Sequence, residues 1–187
     1  ADQLRTLNAL DQALQATLNP EELARVTLEH VTRALDTSGA TFLSCQSQDS
    51  LCFNTQLSDD RVWQTQTLSG RERGQIKRLV AWLQNRGEVN PVLIKDLFEG
   101  GRATITPLIR GWTVDDMLAP LTSDHGIGGL LVLGAREDGR PFTAEDRALA
   151  RAVANRASQM LRNAQLYQAS REQTERLRTL NRVSSFA

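Results

Sequence analysis

Two cysteines and two histidines are the residues of this 187-residue chain best suited to metal or redox chemistry. Cys45, Cys52, His30 and His125 are too few and too scattered for a structural zinc site or a disulfide scaffold. Two strand-prone segments flank a polar loop at 47–50, and this spacing predicts a hairpin with Cys45 opposite Cys52. The two thiols are then either a redox-responsive pair or small apolar fillers.

Motifs for other chemistry are missing from the sequence. It has no glycine-rich phosphate loop, no nucleophile elbow and no helix with paired histidines. Its 22 basic residues balance its 22 acidic residues. The eight arginines that follow Thr143 have one aromatic residue, Tyr167, among them, and not the repeated aromatic interleaving of a nucleic-acid site. We therefore expect neither an enzyme, nor a metal centre, nor a nucleic-acid-binding protein.

An aromatic-lined pocket is the candidate binding site, because an apolar hollow with a few polar groups suits a small molecule. The predicted elements can bring several aromatic and charged side chains around one concavity. The lining candidates are Phe42, Phe53, Trp82, Ile94, Phe98 and Trp112, and the polar candidates are Asp96, Arg102, Arg110, Asp115 and His125. The alternative is that the aromatic residues form ordinary core and the charged residues are solvated.

Helix-start signals predict two helices in the first half of the chain. Asn19-Pro20-Glu21-Glu22 supplies an N-cap, a proline and acidic residues for a helix that runs to about Leu35. Ser69 and Glu72 form a capping box ahead of a second helix, which carries Trp82.

Strand patterns predict the remaining elements around the pocket. Residues 91–95 read as a strand, and residues 96–113 contain three glycines without periodicity, which predicts a loop or lid. Segments 114–122 and 127–134 form a second hairpin. Pro120 cannot donate a ladder hydrogen bond, so we expect a bulge or an unpaired position in that strand.

Long helices are predicted at both ends of the chain. Thr143 and Asp146 start a helix of about 40 residues, or about 60 Å, which must project beyond a domain of this size. Apolar stripes on the two terminal helices predict that they pack together and against a second protomer, which makes a homodimer. The stripes are Leu7, Leu10, Leu14 and Leu18 on the first helix, and Val153, Ala157, Met160, Ala164 and Tyr167 on the last.

A short repeat indicates how the chain is organised. Leu4-Arg5-Thr6-Leu7-Asn8 returns as Leu177-Arg178-Thr179-Leu180-Asn181, which predicts that a second copy of the module begins near residue 177. We divide the chain into a dimerisation helix at 1–18, a sensory domain at 19–167 and a helical linker at 168–187.

The first residue is Ala, so we expect a piece of a longer polypeptide that also holds an output domain. No membrane span is expected, and the two cysteines suit a reducing cytoplasm.

Four segments together resemble a GAF domain, the small sensory module of bacterial signalling proteins and phosphodiesterases. They are Ala40-Thr41-Phe42-Leu43-Ser44; Leu79 to Asp96; Met117-Leu118-Ala119-Pro120-Leu121 leading into Ile127 to Leu133; and Pro141-Phe142-Thr143-Ala144-Glu145-Asp146 followed by Ala154-Asn155 and Asn163 to Tyr167. The resemblance implies an α+β fold. It has an antiparallel sheet of five or six strands, helices on one face, long terminal helices, and a ligand pocket on the other face beneath the middle helices and loops.

The resemblance leaves the ligand and any cofactor unknown. The asparagine-lysine-phenylalanine-aspartate-glutamate set of cyclic-nucleotide-binding members has no match here. Neither Cys45 nor Cys52 has the neighbouring histidine of bilin-binding members. Residues 96–113 also lack the cysteines of members that reduce methionine sulfoxide.

These observations predict a regulatory domain that senses a small molecule or dimerises. It would transmit a signal through its terminal helices to an output domain, as in a sensor histidine kinase of a two-component system. The competing interpretation is a ligand-free structural spacer and dimerisation module in a tandem array.

Overall fold

Helices and strands alternate along the computed structural model, which describes residues 2–15, 19–44, 53–57, 63–98, 112–124 and 126–184. The helices are α1 (Asp2–Gln15), α2 (Pro20–Leu35), α3 (Gly70–Asn85), α4 (Ile94–Phe98) and α5 (Ala144–Ser184). The strands are β1 (Ala40–Ser44), β2 (Phe53–Leu57), β3 (Trp63–Thr67), β4 (Val92–Leu93), β5 (Met117–Ser123) and β6 (Gly126–Leu133).

All the described strands form one antiparallel sheet in the order β3-β2-β1-β6-β5-β4. In the first hairpin Ser44 pairs with Phe53, while on the other side of β1 Phe42 pairs with Leu131 of β6. The predicted combination of helices with an antiparallel sheet is confirmed. The sequence analysis missed β3, whose residues 64–67 are polar and exposed, because it lacks the alternation of apolar and polar residues that marks a half-buried strand.

Two apolar clusters lie on opposite faces of the sheet, because successive strand residues point to opposite sides. We call the first the α1/α2/α5 cluster; β5 gives it Met117 and Ala119, and the three helices cover it. We call the second the α3/α4 cluster; it takes Leu118 from the same strand and lies beneath α3 and α4. Helices α1, α2 and α5 cover one face, and the middle helices α3 and α4 cover the other, which is the arrangement that the resemblance implies.

Both predicted helix starts in the first half are confirmed. The side chain of Asn19 accepts a hydrogen bond from the Glu21 amide at 2.8 Å, and α2 begins at Pro20. At α3, the Ser69 amide donates to the Glu72 carboxylate at 2.9 Å, and the Glu72 amide donates to the Ser69 hydroxyl at 3.3 Å. The hydrogen bonds from Ser69 lower the pKa of Glu72, so this capping box is favoured by the ionised carboxylate.

The strand predicted at 91–95 is confirmed only for Val92–Leu93, because α4 begins at Ile94. The Ile94 amide donates to the carbonyl of Asp116 at 2.9 Å, and the Lys95 amide donates to that of Val114 at 2.8 Å. These distant carbonyls satisfy the first N–H groups of α4, which a local sequence pattern cannot reveal. Of the predicted lid at 96–113, residues 96–98 belong to α4, and residues 99–111 lie outside the described part.

Pro120 lies inside β5, where it pairs with Leu130 of β6. The register between these two strands shifts one step later, between Leu121 and Thr122. On the other side of β5, β4 pairs only with Met117 and Leu118. Pro120 therefore lies where β5 has no second described neighbour, and its missing N–H is tolerated there.

The last helix starts at the predicted box. The Thr143 amide donates to the Asp146 carboxylate at 2.8 Å, and the Asp146 amide donates to the Thr143 hydroxyl at 3.1 Å. From there α5 runs unbroken to Ser184 and packs against β5, α2 and α1. Asp11 of α1 pairs with Arg156 of α5.

The predicted dimer stripes lie largely inside the protomer. Leu10, Val153, Ala157 and Ala164 are fully buried in the α1/α2/α5 cluster, so they are not available to a second protomer. Leu7 and Met160 are half-buried against the same cluster, and Tyr167 is exposed. Leu18 and the side chain of Leu14 lie outside the described residues. The stripes pack α1 onto α5 within one chain, which corrects the prediction for the buried positions.

Candidate functional site

The α3/α4 cluster brings together three of the predicted lining residues. Ile94 is buried there, and Trp82 and Trp112 pack half-buried against its margin. The remaining members are aliphatic: Leu43, Leu68, Ile76, Leu79, Val80, Leu83, Val92, Leu97, Leu118, Ile127, Leu130 and Val132. This face of the sheet is therefore apolar, with two aromatic side chains at its margin.

Phe42 does not belong to this group. Its side chain is fully buried in the α1/α2/α5 cluster, and its neighbour Leu43 points into the α3/α4 cluster. Adjacent residues of a strand face opposite sides, so Phe42 and Trp82 cannot line the same hollow. The predicted pocket is corrected at this position, and Phe42 is a core residue.

Several other candidates cannot be placed. The backbones of Phe53 and Phe98 lie in β2 and α4, and their side chains lie outside the described part. Three charged or polar candidates, Arg102, Arg110 and His125, also lie outside it. The predicted opposition of Cys45 and Cys52 falls outside it as well.

Asp96 and Asp115 lie at the rim of the cluster and not within it. Asp96 pairs with Arg147 of α5 at 3.9 Å, and Asp115 pairs with Lys95 at 3.2 Å. All four side chains are more than a third exposed, so each pair contributes little to stability. The first pair nevertheless connects α4 with the first turns of α5.

The buried acid of this region is Asp116, which the sequence analysis passed over in favour of Asp115. Asp116 is only 4% exposed. Its carboxylate accepts hydrogen bonds from the amide of Thr113 at 2.8 Å and from the hydroxyl of Thr113 at 2.6 Å. The sequence contains a pattern that indicates this contact, because Thr113 and Asp116 have the same spacing as the helix-start pair Thr143 and Asp146. Asp116 fixes the turn that presents Trp112.

The loop that leads into α5 is held by charged groups. Arg136 pairs with Asp138 at 3.1 Å and with Asp146 at 3.3 Å. The Arg136 guanidinium and the amide of Arg140 hold the pKa of Asp138 below its usual range, and Asp138 in turn raises the pKa of Arg136. These contacts fix the start of α5 relative to the sheet.

Two negative findings concern the residues that the structure describes. They contain no group of three or more His, Cys, Asp or Glu side chains placed to hold a metal ion. None of their helices has both the length and the apolar character that crossing a bilayer needs.

Residues 19–161 match the family model of the GAF domain, which is well over half of the chain. The chain belongs to the GAF domain family. The match covers α2 through most of the buried part of α5. A comparison with curated proteins gives no match.

Solved structures of other GAF domains have the same fold. One is the GAF domain of a phosphoenolpyruvate-protein phosphotransferase from Acinetobacter, with 13% identity, a TM-score of 0.61, and coverage of 90% of this chain and 98% of that one. The corresponding domain from Coxiella burnetii is 16% identical with a TM-score of 0.58, and the match covers 89% of this chain and 96% of that one. The GAF domain of a potassium sensor histidine kinase from Escherichia coli is 16% identical with a TM-score of 0.51, and the match covers 88% of this chain and 96% of that one. At such low identity these likenesses establish the fold alone.

In this GAF domain the core extends beyond the matched residues. Helix α1 precedes residue 19, yet its Leu10 is fully buried in the α1/α2/α5 cluster. At the other end, α5 continues past residue 161 to Ser184. Both extensions are helical; α1 packs on the face opposite the candidate site, whereas the extension of α5 buries Ala164, and its described side chains are then exposed from Leu166 to Arg178.

Proposed function

We propose that this GAF domain is a regulatory module that senses a small molecule at the α3/α4 cluster. The change is passed along α5 to an output domain in the same polypeptide, as in a sensor histidine kinase. The observation that carries this proposal is the continuity of α5 from the domain core to an exposed end. One structural relative is part of a potassium sensor histidine kinase, which is the kind of setting proposed here.

Helix α5 has a buried part and an exposed part. Between Leu149 and Ala164 one side of the helix lies in the α1/α2/α5 cluster. From Leu166 to Arg178 every described side chain is exposed. Residues 165–184 extend the helix by about 30 Å. A displacement of the buried part would therefore move the exposed part with it.

The contact between Asp96 and Arg147 supplies a route from the candidate site to α5. Asp96 lies on α4 between Ile94 and Leu97, which are both members of the α3/α4 cluster. Arg147 lies one turn after the start of α5. A shift of α4 on ligand binding would therefore act on the helix that leaves the domain.

Replacing Arg147 with Gln tests this route. We expect the variant to remain folded, because an exposed pair contributes at most about 1 kcal/mol. The exposed end of α5 should be displaced by about 1–2 Å relative to α3. The measurement is a pulsed electron-electron distance between spin labels at Lys77→Cys and Thr174→Cys, with Cys45 and Cys52 replaced by Ser and the labelled chain diluted with unlabelled protein.

Lys95→Gln is the matched control. It breaks the neighbouring surface pair with Asp115 but leaves Arg147 untouched. The control should reproduce the distance distribution of the parent protein. Identical distributions for all three proteins would rule out this route and would favour the spacer function.

We further propose a homodimer, with an interface on the exposed part of α5. Leu166 and Leu177 are 61% and 55% exposed. They are about three turns apart and so lie on the same side of the helix, whereas Ala164 is rotated about 200° from Leu166. The proposed interface therefore lies nearly opposite the stripe that packs within the protomer. Tyr167 lies at its edge.

Leu166→Glu combined with Leu177→Glu should convert the dimer to a monomer, because it places carboxylates in an apolar helix seam. Sedimentation equilibrium measures the association state. The control is Arg178→Glu, which introduces the same carboxylate about 100° away from Leu177. A double variant with the mass of the parent assembly would exclude this interface.

We propose that the domain is not an enzyme and that it works in the cytoplasm. The acidic side chains around the candidate site are already committed to structural contacts: Asp116 to Thr113, Asp96 to Arg147 and Asp115 to Lys95. The small number of cysteines is typical of a protein from a reducing compartment.

The second candidate is a ligand-free spacer, and the position of Phe42 in the core favours it. With Phe42 removed from the candidate site, the aromatic lining placed by the structure is reduced to Trp82 and Trp112. The side chain of Arg86 also covers Trp82, 4.8 Å from its ring centre. A spacer would show no ligand-dependent stabilisation, whereas a sensor at saturation gains several kcal/mol.

A further inference from the structure

The exposed end of α5 repeats the sequence of α1. Residues 175–183 match residues 2–10, and both segments are helical over their whole length. The five central residues are identical, the first residue is acidic in both segments, and the last is apolar in both. The similarity therefore extends over nine residues of helix.

The positions of α1 differ in their surroundings. Leu10 is fully buried in the α1/α2/α5 cluster, and Leu7 is half-buried against it. Leu4 and Ala9 are exposed. Because α1 packs against α2 and α5, Leu7 and Leu10 form the side of the helix that completes the core.

The repeat in α5 keeps the packed side of α1 and changes its exposed side. The two packed positions are apolar in the repeat, where they are Leu180 and Val183. The exposed position of Ala9 becomes Arg182. A second segment that packs in the same way as α1 needs this combination, with apolar residues only where the helix meets a core.

The protomer itself has no place for this second packed side. Leu177 lies about 20 Å along α5 beyond Ala164, the last described residue of the helix that is fully buried. The surface on α2 and α5 that such a helix would cover already carries α1. The repeated segment therefore needs another surface of the same kind.

We propose that residues 175–183 are the first helix of a second module of the same fold, which follows in the same polypeptide. Leu180 and Val183 pack on the helices of that module that correspond to α2 and α5. One continuous helix then belongs to the cores of two modules, so a displacement of α5 acts directly on the second core. This inference goes beyond the proposed sensing function, because it needs no ligand at the α3/α4 cluster.

The proposed dimer interface is compatible with this role. Leu177 takes the place of Leu4, which is 68% exposed although α1 is packed. Leu177 can therefore face a second protomer while Leu180 and Val183 pack on the following module.

The first test places the α5 sequence in α1 of the whole chain. Four substitutions convert residues 2–10 to the sequence of residues 175–183: Asp2→Glu, Gln3→Arg, Ala9→Arg and Leu10→Val. We expect the melting temperature to fall by no more than about 5 °C, because Leu10→Val removes one methylene group and Ala9 is exposed. Thermal unfolding followed by circular dichroism measures the change.

The matched control places a different part of the same helix in α1. Residues 165–173 are equally helical, but they bring Ser170 and Gln173 to the positions of Leu7 and Leu10. This chain should melt at least about 10 °C below the parent, because polar groups replace buried leucine. Equal melting temperatures for the two chimeras, or a first chimera that does not fold, would overturn the proposal.

The second test joins two copies of this chain through the shared helix. Residues 1–183 continue directly into residues 11–187 of a second copy, so that residues 175–183 replace residues 2–10 of that copy. We expect the second copy to fold on this helix. The amides of residues 180–183 should exchange hydrogen at least about tenfold more slowly than in the single chain, because they then lie in a folded core.

A shift of register is the control for this fusion. Joining residues 1–181 to residues 11–187 turns the second copy by about 200° and brings Arg178 and Asn181 to the packed positions. The second copy should then be unfolded, and the slow exchange should be lost. Equal protection in the two fusions, or no protection in the first, would exclude a shared helix, and neither result depends on ligand binding.

Discussion

An alanine at position 129 is expected to destabilise the protein by about 1–3 kcal/mol. Gly129 lies in β6 opposite Ser44 of β1, in the middle of the sheet. A Cβ there would overlap the carbonyl oxygen of Leu43 and lie 2.9 Å from Cδ1 of Leu121. The carbonyl belongs to the neighbouring strand and cannot move aside without disturbing the ladder. Urea denaturation of Gly129→Ala measures the loss.

Gly39→Ala is the matched control for this prediction. An added Cβ at position 39 meets no atom within 4 Å, so the substitution should change stability very little. Gly39 also lies beside the sheet, just before β1. Equal urea denaturation midpoints for Gly129→Ala and Gly39→Ala would show that β1 and β6 can separate enough to admit a methyl group.

Leu10→Ala is expected to cost about 2–5 kcal/mol, as deletion of a buried leucine side chain usually does. Leu10 is fully buried, and it packs within one chain in the α1/α2/α5 cluster. Because the contact is intramolecular, the loss should not depend on protein concentration. Denaturation at two protein concentrations, combined with sedimentation of the variant, checks both statements.

Leu4→Ala on the same helix is the control. Leu4 is 68% exposed, so its truncation should leave the midpoint nearly unchanged. If Leu10→Ala instead dissociated a dimer and left the stability of the single chain intact, α1 would belong to an interface between protomers, as the sequence pattern first predicted.

Local signals in the sequence predicted the local structure well. Asn19 before Pro20, and Ser69 with Glu72, each predicted a helix start that the structure contains. The hairpin predicted from segments 114–122 and 127–134 is present as the antiparallel pair β5 and β6. In each case the signal and the structure that it determines lie within a few residues of one another.

The sequence could not determine which face of the sheet each residue occupies. In β1 all five residues are buried, so the alternation that would separate Phe42 from Leu43 is absent. An apolar stripe on a helix indicates a packed side but not the partner, and for Leu10 and Val153 the partner was the same chain. Helix α4 likewise depends on the carbonyls of Val114 and Asp116, which come from a turn about twenty residues away.

The position of α1 also has a consequence for where this domain can be divided. The family match begins at residue 19, but α1 lies before that residue and covers part of α2 and α5. Expressed alone, residues 19–161 would expose to water the apolar surface on which Leu10 now lies. We therefore expect the unit that folds stably to be larger than the matched unit and to include α1.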